Sequence, residues 1–275
     1  MSVDLPDFTS IKVVRDGAVD WLTLDRPARL NALDGAMVEE LWRYFSDLQS
    51  NRDCRIVVMR GAGRGFCAGL DLTWFNTGAS MPVDPDGDGT FSMLTEIIFK
   101  MRACPQVIVS LVHGPACGGG FNFILASDIR IAARSAKMNV AFVKLGLSGC
   151  ELGTSYFLPR FVGASVAADL MLTGRFIDGE RALATGLVSQ LVDRDEDLES
   201  AGQNLAEELL AVSPLGLRKT KEGLALAETI DNLTAVIRLE EQTQLACMKA
   251  APFAETVGAF AGGGAGTARE TASGA

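Results

Sequence analysis

Two glycine-rich stretches carry the residue types best suited to hold a developing negative charge: Gly65-Phe66-Cys67-Ala68-Gly69-Leu70-Asp71 and His113-Gly114-Pro115-Ala116-Cys117-Gly118-Gly119-Gly120, each following an apolar run. Such turns expose unpaired backbone N–H groups, and where a helix begins the aligned peptide dipoles add favourable potential for an anion. Two such amides converging on one point would make an oxyanion hole. Either stretch taken singly is better explained by steric need, because tight strand-to-helix turns use glycine. Other chemistries find less support. Gly61-Ala62-Gly63 lacks the third glycine of a dinucleotide-binding turn, since Phe66 stands at that position, and no phosphate-loop lysine pattern occurs. A Ser-His-Asp triad would have to pass through His113, the sole histidine, and no G-x-S-x-G elbow is present. His113 reads better as a turn residue before Gly114-Pro115. Cys54, Cys67, Cys104, Cys117, Cys150 and Cys247 form no C-x-x-C pair, so no metal or redox site is expected and the thiols read as reduced and mostly buried.

The two stretches at this separation resemble the crotonase (enoyl-CoA hydratase/isomerase) superfamily. Further matching segments are Leu24-Asp25-Arg26-Pro27 with Leu30-Asn31-Ala32-Leu33, Ala126-Ser127-Asp128, Leu172-Thr173-Gly174-Arg175, Gly186-Leu187-Val188 and Ser213-Pro214-Leu215, so that the resemblance runs over about residues 8 to 260. It implies a repeated ββα spiral core, C-terminal helices that form a trimer interface, and an acyl-coenzyme A thioester as the partner. No tightly bound cofactor is implied, since coenzyme A is part of the substrate. Carried over, the amides of Ala68 and Gly119 hold the thioester oxygen, while Ala68, Gly69, Leu70 and Asp71 line the pantetheine and adenine path. Asp71 is equally well placed to cap a helix.

The chain departs from the resemblance where protons move. A family hydratase carries two glutamates that position water and transfer its proton; here those positions hold Asn122 and Phe142, neither of which does acid–base chemistry. Glu151, counted back from the aromatic-x-Leu-Pro-Arg segment ending at Arg160, looks like the carboxylate that some family isomerases and acyl-CoA hydrolases use. Its apolar and small neighbours suggest burial and a raised pKa; capping of a helix near Thr154 is the competing role. The expected function is therefore an enolate-forming isomerase working through Glu151, with a conventional 2-enoyl-CoA hydratase, a hydrolase and a catalytically silent acyl-CoA-binding protein as alternatives. The C-terminus also lacks the basic stretch with which many relatives hold the nucleotide end, Lys249 being the last basic residue before Arg269.

The elements that must position these residues are legible in outline. Ile11 to Val14 and Val19 to Leu24 read as a β-hairpin, and Asp34 as the cap of a helix burying Met37, Leu41, Phe45 and Leu48. Ile56 to Met59, Val107 to Val112 and Ile129 to Ala132 read as strands, with helices over Phe91 to Arg102 and Gly118 to Ala126. This repetition predicts an α/β fold with parallel pairing. Residues 76–90 are expected to form a mobile surface loop. After Asp193 the pattern turns helical, over 195–211, 215–227, 231–249 and 252–260. The expected organisation is a spiral core over 1–194, a helical oligomerisation region over 195–261 building a homotrimer or homohexamer, and a disordered tail over 262–275. With 34 acidic against 25 basic residues and a net charge of −9, nucleic acid is not an expected partner. No run is long and apolar enough for a membrane span, and MSVDLPDFTS has no signal-peptide character, so a cytoplasmic protein is expected.

Overall fold

The computed structural model describes residues 8–84, 92–250 and 257–258. Its strands and helices run β1 (Ile11–Asp16), β2 (Val19–Leu24), α1 (Gly35–Leu48), β3 (Ile56–Gly61), α2 (Leu72–Phe75), α3 (Met93–Ala103), β4 (Val107–Val112), β5 (Pro115–Cys117), α4 (Gly119–Ala126), β6 (Ile129–Ala133), β7 (Lys137–Asn139), α5 (Thr154–Thr173), β8 (Ile177–Asp178), α6 (Gly179–Ala184), β9 (Gln190–Val192), α7 (Asp197–Ala211), α8 (Pro214–Ala227) and α9 (Leu233–Met248). The hairpin, the helix after Asp34 and the strand–turn–helix repetition form as the patterns require. Asp34 accepts from the Met37 amide at 2.9 Å, and Ser92 caps α3 by accepting from Thr95. The expected start of that helix at Phe91, residues 85–90 of the expected loop, nearly all of 252–260 and the whole 262–275 tail lie outside the described residues.

The main sheet has the order β1-β2-β3-β4-β6-β9, antiparallel only between β1 and β2. Strands buried on both faces read as near-continuous apolar runs, and Ile56–Met59 does so, as does β4 apart from the buried Ser110. Side chains alternate between faces. Leu22, Leu24, Val57, Met59, Ile108 and Val112 join the core built with α1, α3 and α4, while Trp21, Val58, Val109 and Leu111 lie outside that cluster. A second sheet, β5-β7-β8, turns the chain back beside the start of α4.

The chain divides into two compact units after Ala211. This corrects the boundary expected at 194/195. Helix α7 buries Leu198, Ala201 and Ala206 and packs against β3, β4, β6 and β9, so it completes the first unit. The second unit, described from Val212, contains α8 and α9 packed on each other, with Leu224, Leu226, Leu233, Ile237, Leu245 and Met248 exposed. Among the described residues no helix is long and apolar enough to cross a membrane.

Candidate active site

The two glycine-rich stretches lie against each other. Cys67 donates to Pro115 O at 3.1 Å and accepts from the Cys117 amide at 2.9 Å, and the Phe66 amide donates to His113 O at 2.9 Å. Two glycines allow this approach. A side chain on Gly120 would collide with the Cys67 backbone and sit 2.8 Å from its Sγ; one on Gly69, held at φ +89°, would sit 2.7 Å from Cys117 O. His113 is buried, and its Nε2 lies 2.9 Å from Gly63 O, a structural role joining the turns.

In the first glycine-rich turn the free amide does not fall where the resemblance placed it. The Ala68 amide donates to Leu30 O at 2.9 Å, so it is committed within the protein and the expectation for Ala68 as an anion donor is corrected. Leu33 donates to Gly69 O at 2.7 Å and accepts from the Asp71 amide at 2.9 Å. The trans peptide between Gly69 and Leu70 therefore turns its N–H away from Leu33, and among the described residues the Leu70 amide has no hydrogen-bond partner. At the start of α4 the amides of Gly119, Gly120 and Phe121 are likewise unpaired among the described residues, whereas Asn122 N reaches back to Gly118 O at 3.0 Å. Leu33 stands between the two sets: a methyl group on Gly119 would lie 2.8 Å from Leu33 Cδ1 and 3.9 Å from Leu152 Cδ1. The arrangement offers unpaired donors from two turns, those of the second at a helix start, bordered by apolar side chains.

Two buried asparagines hold the surrounding turns. Asn31 donates from Nδ2 to Ala62 O at 2.9 Å, Gly65 O at 2.9 Å and Phe66 O at 3.2 Å, and its Oδ1 accepts from Arg26 N at 2.9 Å. It anchors the left-handed pair Leu30 and Asn31, at φ 50° and 56°, whose first carbonyl accepts from Ala68. Asn122, fully buried, donates from Nδ2 to Glu151 O at 3.1 Å, Leu152 O at 3.0 Å and Thr154 Oγ1 at 2.9 Å. There too a non-glycine residue, Leu152, is left-handed at φ 49°. A left-handed non-glycine residue costs about 1–2 kcal/mol, which the surrounding bonds must offset.

Asp71 realises the capping alternative. Its Oδ1 accepts from Thr73 N and Trp74 N, both at 3.1 Å, and its Oδ2 lies 3.1 Å from the Arg26 guanidinium, which also pairs with Asp34 at 2.8 Å. Burial raises the Asp71 pKa, but the Trp74 amide and Arg26 outweigh it and hold the carboxyl below its ordinary value. The side chain thus braces the Gly69-Leu70 turn.

Glu151 is exposed, which corrects the expected burial, and its side chain does not cap α5, whose N-cap is Gly153. Its backbone sits one hydrogen bond from α4, through Asn122. Phe142 packs partly buried against the core, with its ring 3.5 Å from where a Gly118 side chain would begin. All six cysteines are free: Cys54, Cys67 and Cys104 are buried, Cys117 and Cys247 are partly so, and Cys150 is exposed. Burial pushes the Cys67 thiol up to about 12 and the Cys117 thiol up to about 11, so beside the unpaired amides both are protonated, weak nucleophiles. Among the described residues no group of His, Cys, Asp or Glu could hold a metal ion. Sequence reasoning passed over Arg26, Thr154 and the role of Asn31; only Asn31 and Arg26 had a signal, as members of the Leu24–Leu33 segment.

The family model for enoyl-CoA hydratase/isomerase matches residues 15–264. The chain is 35% identical over 239 residues to the 1,2-epoxyphenylacetyl-CoA isomerase of Escherichia coli K12, covering 87% of this chain and 90% of that one. A crystal structure of an enoyl-CoA hydratase from Bacillus anthracis superposes with a TM-score of 0.84 at 28% identity, covering 92% of this chain and 96% of that one. A monofunctional enoyl-CoA isomerase from M. smegmatis gives a TM-score of 0.70 at 32% identity, covering 83% and 98%. With this match and the paired glycine-rich turns, the chain belongs to the enoyl-CoA hydratase/isomerase family of the crotonase superfamily.

Proposed function

We propose that the protein is an acyl-CoA isomerase in which the thioester oxygen is held by the amides of Leu70 and Gly119 and the proton is carried by Glu151. The observation that carries the reading is the pair of unpaired amides on either side of Leu33, with Glu151 hydrogen-bonded through its backbone to the helix that Gly119 begins. Glu151 removes a proton from the carbon next to the thioester carbonyl. The released electron pair moves onto the oxygen, where the two amides stabilise it. The same carboxyl returns the proton to the far carbon of the allylic system, so the double bond moves and no water is added.

The positions that would supply a second acid argue against water addition. The Asn122 carboxamide is spent on backbone carbonyls, and Phe142 has no proton to give. Coenzyme A thioesters as the substrate class agree with the names of the Escherichia coli and M. smegmatis relatives, and no resident cofactor is needed for this chemistry. The second unit supports a homotrimer or a dimer of trimers, since the leucines exposed on α8 and α9 need a covering surface.

The test is incubation with 3-enoyl-, 2-enoyl-, dienoyl- and β-ketoacyl-CoA thioesters, with products resolved by liquid chromatography against isomer standards and followed by mass spectrometry. The expected result is conversion of 3-enoyl- to 2-enoyl-CoA without change of mass. Rapid gain of one water on 2-enoyl-CoA would instead establish a hydratase.

A further inference from the structure

Asn122 sits in the first turn of α4, fully buried, and spends its amide hydrogens outside its own helix. Its Nδ2 lies 3.1 Å from Glu151 O, 3.0 Å from Leu152 O and 2.9 Å from Thr154 Oγ1. The orientation of the carboxamide is forced. Two of these partners are carbonyls that only accept, and the third, the Thr154 hydroxyl, already donates to Glu151 O at 2.7 Å. Rotating the amide would set Oδ1 against those oxygens. Oδ1 meanwhile faces protein with no partner, a cost accepted in exchange for the three contacts of Nδ2.

The segment so held is strained. Leu152 and Gly153 are left-handed in succession, at φ 49° and 81°. Glycine tolerates this; leucine does so only where its surroundings over-determine it. The consequence is a division of directions: Leu152 turns inward until its Cδ1 borders Gly119, while Glu151 is turned out to the exposed side of the same turn. Relaxing Leu152 to an ordinary backbone angle would redirect both.

We propose that Asn122 is a positioning residue, whose carboxamide keeps Leu152 left-handed and thereby fixes Glu151 for proton transfer. The inference rests on the reading of Glu151 as the proton carrier. An acid at 122 is incompatible with this arrangement while ionised, since its oxygens would face the Glu151 and Leu152 carbonyls. Buried there, such an acid would have a raised pKa, and only its protonated form could donate one hydrogen back to the turn.

The experiment compares Asn122→Asp, Thr154→Val and Glu151→Gln, and combines the first two with Glu151→Gln, using 3-enoyl-CoA isomerisation in the full-length protein. Asn122→Asp is expected to lower kcat about 10- to 100-fold, as misplacement of a reacting group does, with KM little changed. The ratio of its kcat to that of the wild type should rise as pH falls through the pKa of the new carboxyl, a recovery that a merely weakened fold would not give. Thr154→Val should lose turnover in the same direction by less, and serves as the comparison if Asn122→Asp fails to fold. Neither change should lower kcat further in the Glu151→Gln background, because the group being positioned is gone. Full turnover in both single variants, with Glu151→Gln inactive, would overturn the positioning role alone, as would additive losses in the double variants. Full turnover in Glu151→Gln would overturn the proton-carrier reading and the positioning role with it.

Discussion

The Ala68 amide donates to the Leu30 carbonyl at 2.9 Å, and this bond removes the nearest candidate donor in the first glycine-rich turn. Because Leu33 bonds on both sides of Leu70, the next peptide directs its N–H the opposite way, and the unpaired amide is two residues further along the chain. The geometry of the turn, rather than its glycine content, decides which amide is available.

Replacing Gly119 by proline tests the other donor. Proline is tolerated at the first helical position, and a Cβ placed on Gly119 presses only on the flexible end of Leu33. Loss of the amide should reduce kcat about 100- to 1,000-fold. Gly119→Ala meets the same leucine but keeps the amide, so it should retain most of the activity; equal rates in the two variants would show that the amide is not used.

Asn31 braces the turn that carries Leu30 and Leu33. Asn31→Ala strips the Ala62, Gly65 and Phe66 carbonyls of a shared buried donor. Leaving buried acceptors unmet costs about 1–3 kcal/mol, which denaturant unfolding of the variant should register as a lowered midpoint at unchanged slope.

How far the sequence shows this architecture depends on whether a residue's fate is decided locally. The hairpin from Ile11 to Leu24, the cap at Asp34 and the run Val107 to Val112 are decided by alternation, capping chemistry and full burial, all visible in the chain itself. Periodicity alone groups helix α7 with the helices that follow it, because an amphipathic pattern shows that a face is buried but not against what; apart from β9, its partners are strands about 70 to 150 residues earlier. The Ala68 assignment failed for a related reason, since the choice between neighbouring amides depends on Leu30 and Leu33. Glu151 was expected to be buried from its apolar neighbours, and the left-handed turn at Leu152-Gly153 sends it outward instead.

Acid should weaken the fold in a way traceable to Glu40. Its carboxylate accepts from Thr9 N, Thr9 Oγ1, Ser10 N and Ile11 N at 2.7–3.1 Å. Burial raises its pKa, yet the Thr9, Ser10 and Ile11 donors prevail and hold it below the usual carboxylate value. A depressed pKa contributes stability that is complete above the unfolded-state value and is lost as pH falls through the folded one. Glu40→Gln should therefore be less stable than wild type near neutrality and lose less on acidification through the carboxylate range; parallel curves would refute this linkage.

Light scattering at micromolar concentration should give a trimer or hexamer. Leu233→Glu and Leu245→Glu, both at exposed positions of α9, should shift it toward smaller species. A wild-type monomer would contradict the proposed role of the second unit.

The most direct test of the central claim is to measure turnover and ligand affinity together in Glu151→Gln. The substitution keeps the size of the side chain and removes its capacity to carry a proton. The expected result is loss of 3-enoyl-CoA isomerisation by at least about 100-fold, with acyl-CoA affinity by calorimetry within about threefold of wild type, the signature of a group needed only in the transition state. Isomerisation at the wild-type rate by a folded Glu151→Gln protein would contradict the account.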